Sequence, residues 1–401
     1  MINYQLFQTD GGIVGNIIWF LLFFVMIFVY PRLMVTQMIW KLEQTANMLE
    51  NFTHTARRIV TKKITKNPSK EMRDSINNFL EFFVIEPVSL DPYGIVKKIE
   101  HLVELSEKRF KYFVKSIAPK LDSENQANLM MGLSGAMSLN QITKIVKHYI
   151  GIIKKTKNLQ LAMILQMQMP FIEKVSKALL KGTEALTNGW PIGDAAGAIA
   201  AAQLIGDSKT KEVDTDTVVS SKRIKGKTVY IIKAKGPGGR LGKIGKVVDR
   251  YARRQKVAKI ITIDAAAKLE GEKTGSIAEG IGVAIGGVGV ERAYIEGVAT
   301  QKDIPLDTYI IKMANEEAIM PMKIEVLNAI PKVVKSVEDN ISRTKEKGSI
   351  VIVGVGNTGG IGNSRKDADR VVDLIKKNSK ILKTWEDEEK KREKKWFDLG
   401  F

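Results

Sequence analysis

Cysteine is absent from the 401 residues, and histidine occurs only three times. Without cysteine there is no disulfide, no thiolate nucleophile, no iron–sulfur cluster and no Cys-ligated zinc. His101 and His148 stand beside lysines in helical patterns, where an ordinary surface histidine is expected rather than a metal ligand. Negative charge is also short: 44 Asp and Glu face 63 Lys and Arg, a formal net charge of +19. No nucleic-acid-binding motif accompanies that excess, so charge alone does not make a nucleic-acid protein. Hydrophobic residues supply 44% of the chain, too many for a disordered one, and the length favours two domains or one with a large insertion.

Long uncharged runs are equally scarce, with one exception. Residues 11–30 carry no charge, and Asn16 is their only strongly polar side chain. About twenty helical residues span a hydrocarbon core of about 30 Å. A cleaved signal peptide would start with cations and end in small residues, whereas residues 1–10 hold no Lys or Arg and the run ends Val29-Tyr30-Pro31-Arg32. Trp19, Tyr30 and Trp40 suit membrane interfaces, and Arg32, Lys41, Arg57, Arg58, Lys62, Lys63, Lys66 and Lys70 all follow the run. The asymmetry predicts a single-pass anchor over 13–40 in the cell membrane, with 1–12 outside and the remainder cytoplasmic. Residues 41–70 are then a basic connector beside an anionic leaflet, which accounts for part of the net charge. The apolar stretch 161–172 is broken by Gln166, Gln168 and Pro170, and 195–205 is too short to span; both are expected in a soluble core.

From 71 to 185 the pattern is helical. Ile95, Ile99, Leu102, Ser106, Phe110 and Phe113 recur at three and four residues, as do Ile142, Ile145, Tyr149 and Ile152, and Pro87, Asp91 and Pro92 mark a turn. Composition changes near Gly189: 21 of the 33 glycines fall within 206–362, where short Val/Ile runs alternate with helical segments. This predicts an α/β domain over 186–380, a three-layer arrangement around a parallel or mixed sheet. Strands are expected at 228–234, 259–264, 308–313 and 349–354, and helices at 244–255, 323–339 and 366–377. Residues 381–401 mix both charge signs, as a solvated helix or a docking peptide would.

In parallel sheets ligands gather beyond the carboxyl ends of strands. After the first expected strand comes Lys235-Gly236-Pro237-Gly238-Gly239-Arg240-Leu241-Gly242-Lys243, in which Gly236, Gly238 and Gly239 permit close backbone approach while Arg240 and Lys243 would attract an anion. It lacks the Gly-Lys-Ser/Thr ending of a Walker sequence. After the last expected strand, Gly356, Asn357 and Thr358 open a second Gly-rich turn with a weak phosphate-binding pattern. Tight turns and close packing account for such glycines equally well. Asp264 ends an Ile-Ile-Thr-Ile run, and Glu270, Glu272 and Glu279 follow; Asn315-Glu316-Glu317 follows the third strand. Upstream, Asp194 opens an alanine-rich helix, where an N-cap is the simplest role.

Gly193-Asp194-x-x-Gly197 at a helix start and Ile263-Asp264-Ala265 at a strand end together resemble two signatures of the germination protease and hydrogenase maturation protease group. The stretch Gly280-Ile281-Gly282-Val283-Ala284-Ile285-Gly286-Gly287-Val288-Gly289-Val290-Glu291-Arg292 resembles the germination protease's Gly-rich segment after its second aspartate. The resemblance covers about 186–320 and implies that Asp194 and Asp264 are the catalytic or metal-facing acids. No strand precedes Asp194 and the Gly354-Val355-Gly356-Asn357 turn lies at the far end, so such a phosphorylase/hydrolase-like fold would be circularly permuted. The group's metal-binding histidine has no counterpart. The whole chain also resembles an archaeal membrane-anchored family of unknown function.

Two neighbouring carboxylates do not ionise together easily, so one pKa rises and the pair can hold and activate a water, alone or through a divalent metal. The leading expectation is therefore a single-pass membrane protein with a cytoplasmic hydrolase or peptidase-like domain, or a degenerate descendant, acting on a peptide or protein. The two carboxylates should converge in one cleft, walled by 280–289, with Glu316 or Asn357 nearby. A non-catalytic nucleotide- or phosphate-binding module and a membrane-tethered scaffold with a protein partner or as a homo-oligomer remain the alternatives.

Overall fold

The computed structural model describes residues 13–84, 94–287 and 289–398. The expected turn at Pro87, Asp91 and Pro92 and the end at 1–12 lie outside these residues. The helical half comprises α1 (Ile13–Phe24), a π-helical turn (Val25–Val29), α2 (Tyr30–Ile64), α3 (Lys70–Phe79), α4 (Ile95–Ile117), α5 (Ser123–Thr156) and α6 (Leu159–Asn188). The chain divides into two compact units, 1–52 with 140–176, and 53–139 with 177–401.

In the first unit, helix runs without a break from Gly15 through the start of α2, and it is long and apolar enough to span a membrane. Trp19, Phe20 and Met26 are exposed along it. The early part of α2 packs Val35, Ile39, Leu42, Ala46 and Leu49 against Val146, Ile150 and Ile153 of α5 and Ala162, Leu165 and Met169 of α6. The expected α5 stripe is displaced by one position, because Val146 and Ile150 face the core while Ile145 and Tyr149 are exposed. The stretch 161–172 is likewise only half core. With one face packed, Met163, Ile164, Met167 and Phe171 stay on the opposite, exposed side.

The second unit is built on a seven-stranded sheet in the order β1-β2-β3-β7-β4-β6-β5. Its strands are β1 (Thr210–Asp214), β2 (Thr217–Ile224), β3 (Lys227–Ala234), β4 (Val257–Ala267), β5 (Ile277–Ile281), β6 (Leu306–Met313) and β7 (Ser349–Gly354). The central four are mutually parallel, and β1, β2 and β5 pair antiparallel at the edges. All four expected strands form the parallel centre, where continuous Val/Ile runs are buried on both faces. In β7, Ile350 and Ile352 enter one core with α7 (Ala196–Ile205), α11 (Ile324–Arg343) and α12 (Arg365–Asp398), and Val351 and Val353 enter another with α8 (Ile244–Arg254) and α9 (Val290–Gln301). Three layers result, completed by the short α10 (Asn315–Ile319). Helix α12 runs on into the charged tail, with Leu382 buried against Ala178 and Met320.

Alanine dominates α7 because this helix lies almost on the sheet. Every residue of it except Gln203 is buried, and a Cβ on Gly197 would collide with the carbonyl oxygens of Ile263 and Val355. Gly197→Ala is therefore expected to lower the melting temperature by several degrees through overpacking. Gly297→Ala in α9, where a Cβ meets open space, should be neutral or stabilising by about 0.5–1 kcal/mol through helix propensity. Thermal melts of the two variants check the contrast.

Candidate functional site

The parallel strands end together on one side of the sheet, and the site forms where β7 stops before β4 does. Ile263 pairs with Gly354, the last residue of β7, whereas Asp264 pairs only with Ile310 of β6. The gap is filled by the 3-10 turn Gly193–Ala195 that leads into α7. Gly356, at φ +115°, turns the chain leaving β7 so closely over this element that a Cβ would strike the Asp194 carbonyl. The Asn357 amide then donates to Asp194 Oδ2 at 2.9 Å. A turn and a helix start from opposite ends of the domain thus assemble as strand, turn and helix would in one continuous stretch.

Asp264 is 3% exposed and Asp194 is partly exposed. Asp264 accepts from the Ala265 amide at 2.7 Å, its only hydrogen bond among the described residues. Burial, and then the charge of Asp194, push the Asp264 carboxyl up to about 8 against that hydrogen bond. Burial also raises Asp194, opposed by the Asn357 amide. Asp194 thus lies near enough for its charge to act on Asp264, and the Asn357 amide adjoins Asp194. Helix α10 closes another side, its Glu317 carbonyl lying where a Gly193 Cβ would be, which places Glu316 on a flanking element. Of the wall expected over 280–289, the part that β5 and Gly282 place lies away from the site. Strand β5 runs antiparallel, so Ile277 opposes Ile311 near the carboxyl end of β6, while Gly282 donates to Leu306 at the amino end of β6.

Calcium sites gather six to eight oxygens, whereas magnesium keeps several waters and is held by one or two carboxylates. Among the described residues no third Asp, Glu or His joins Asp194 and Asp264 in a metal-ligating group. Two carboxylates are too few for a calcium site, and they are the donors a magnesium ion would find here.

The Gly-rich basic loops have a different role from the anion cradle expected of them. Gly236 donates to Asn363 Oδ1 at 3.1 Å, Gly238 to Glu124 Oε2 at 2.6 Å and Gly239 to Asn128 Oδ1 at 2.7 Å. Arg240, 7% exposed, is held by Glu124 and by Asp216 at 3.0 Å. Lys243 donates its amide to Thr217 Oγ1 at 2.6 Å and its ammonium to Glu107 at 3.3 Å. The start of α8 is occupied by the Glu291 carboxylate, 2.5 Å from the Gly245 amide. Thr358 donates to backbone carbonyls, including that of Gly238 at 2.8 Å. Asparagine side-chain oxygens and carboxylates of the protein itself therefore accept from these amides and cations. Burial alone would raise Glu124, but Arg240 and the Gly238 amide outweigh it and hold the carboxyl below its usual range.

Sequence reasoning missed Lys233, which is fully buried at the end of β3. Burial lowers it to about 7 against the opposing charge of Asp367, and its ammonium reaches Ala234 O, Gly362 O and Asn363 Oδ1. It pins the two Gly-rich loops together. Its place in an alternating strand pattern was the one available signal, because a lysine at an inward position needs acceptors.

Residues 16–189 match the family model described as "Protein of unknown function (DUF1512) N-terminal domain", and 192–362 match "Domain of unknown function (DUF1512) C-terminal". The chain belongs to the DUF1512 family. No curated protein and no solved structure matches it. Asp194, Asp264 and Asn357 all fall within the DUF1512 C-terminal match, and the break between the two matches lies just before Asp194.

A carboxyl raised on folding binds more protons folded than unfolded between about 4 and about 8, so stability falls as pH rises through that window. Asp264→Asn is expected to raise the melting temperature by a few degrees at pH 8, with the gain vanishing near pH 4. Melts of wild type and variant across that range read the effect, and an equal difference at both ends would contradict it.

Proposed function

We propose that this DUF1512 protein is a membrane-anchored, peptidase-like hydrolase whose Asp194–Asp264 pair shares one proton. What supports this reading is that Asp264, buried where β7 has already ended, feels the charge of Asp194, a helix-start acid seventy residues away in sequence whose Oδ2 is held by the amide of Asn357 in the turn leaving β7. Ligands of open α/β sheets bind in that position. Asp194 Oδ2 is held by the Asn357 amide and Asp264 Oδ1 by the Ala265 amide, so one oxygen of each remains for the shared proton and a water.

In this reading the ionised member takes a proton from water as it attacks an amide carbonyl, and the protonated member supplies the leaving nitrogen. The resemblance of the two local motifs to the germination and hydrogenase maturation proteases supports the same roles. With the N-terminal helix as anchor and the cations on its C-terminal side, the domain faces the cytoplasm. The alternative of a nucleotide or phosphate module draws no support from loops whose amides and cations are already paired internally.

The test is peptide-library cleavage by the purified full chain in detergent, read by mass spectrometry. Wild type is expected to cleave, with activity falling above about pH 8 as the shared proton is lost. Asp194→Asn and Asp264→Asn should each reduce cleavage by at least about 100-fold with the fold retained. Cleavage that survives both substitutions, or its absence in wild type, overturns the proposal.

A further inference from the structure

The hairpin between α5 and α6 returns the chain to the membrane-proximal end of α2. Thr143 Oγ1 donates to the Leu49 carbonyl at 3.2 Å, Lys147 pairs with Glu50 at 2.6 Å, and Lys154 pairs with Glu43. These contacts run antiparallel, so each residue further along α5 lies nearer to Tyr30. Glu43 is thirteen residues beyond Tyr30, roughly 20 Å along a helix. The tip at Lys157 and Asn158 lies about 5 Å closer again. Lysine side chains reaching from there come within about one Debye length, 8–10 Å, of the headgroup layer that the anchor helix defines.

The charge at this level has one sign. Over 30–43 and 150–165 the cations are Arg32, Lys41, Lys154, Lys155 and Lys157, and Glu43 is the one acid. Glu43 neutralises Lys154, while Lys155 and Lys157 are exposed. Asn158 accepts from the Leu161 amide at 2.9 Å, which caps α6 and fixes the turn without adding an acid. Of the cations expected beside the leaflet over 41–70, Lys41 lies on this same stretch of α2.

We propose that the α5–α6 tip, through Lys155 and Lys157, is a second membrane contact that binds anionic lipid headgroups and fixes the tilt of the first unit against the bilayer. The inference rests on the anchor reading. Each lysine near an anionic surface contributes about five-fold in partition, so the contact is salt-sensitive.

The native absence of cysteine makes single-site labelling direct. Asn158→Cys and, as the distal reference, Asn51→Cys are each labelled with a fluorophore in the full chain. They are reconstituted into nanodiscs of neutral lipid alone or with 30% phosphatidylglycerol, and quenching by headgroup-spin-labelled lipid is measured. Strong quenching at 158 and little at 51 is expected, greater in anionic discs and reduced several-fold by Lys155→Glu with Lys157→Glu or by high salt. A chain that enters discs yet shows equal quenching at 158 and 51, or no dependence on lipid charge, overturns the tip contact while sparing the anchor. Failure to enter discs at all overturns both.

Discussion

The close seating of α7 on the carboxyl ends of β4 and β7 is the constraint on which the second unit depends. Gly197, Gly354 and Gly356 lack the Cβ atoms that would hold helix, strand and turn apart. Closure brings the Asn357 amide onto Asp194 and leaves Asp264 beyond the end of β7, covered rather than solvated. The raised carboxyl is a consequence of that packing, since burial is the larger cause and the neighbouring charge the second. A site of this kind stores unfavourable electrostatics that the core around it must offset.

Around the site, electrostatics serve assembly. The acids of α4 and α5 meet the basic face of the α/β layer: Glu100 with Lys246 at 3.0 Å, Glu107 with Lys243, Glu124 with Arg240 and the Gly238 amide. Tyr294 of α9 adds a hydrogen bond to Glu100 at 2.7 Å. Loops that look like an anion cradle in isolation are thereby the seat of the helical segment. Arg240 shows the cost of disturbing them, because removing one partner of a buried pair typically costs about 3–5 kcal/mol.

The parallel centre of the sheet was legible because strands buried on both faces must be apolar throughout, as 349–354 is. Edge strands β1 and β2 carry Lys, Glu, Ser and Arg on exposed positions, and β5 contains a glycine, so neither periodicity nor composition marked them. The antiparallel pairing of β5 also carries 280–282 away from the site. Asp194 and Asp264 were legible as motifs, but their approach depends on Gly356 meeting a helix start more than 160 residues upstream, which no local pattern encodes. Glu124 as partner of Arg240 and Glu107 as partner of Lys243 were hidden for the same reason, lying over 110 residues away on helices whose acids read as a solvated face.

The central claim is that Asp264 carries a proton at neutral pH because it is buried beside Asp194. Infrared titration of the full chain, as the difference between wild type and Asp264→Asn, observes that proton through the carboxylic acid C=O stretch. The account predicts a protonated-carboxyl band in the difference spectrum at pH 7 that disappears as pH rises past about 8. A difference spectrum with no such band at pH 7, its carboxylate already ionised at pH 5, would contradict it.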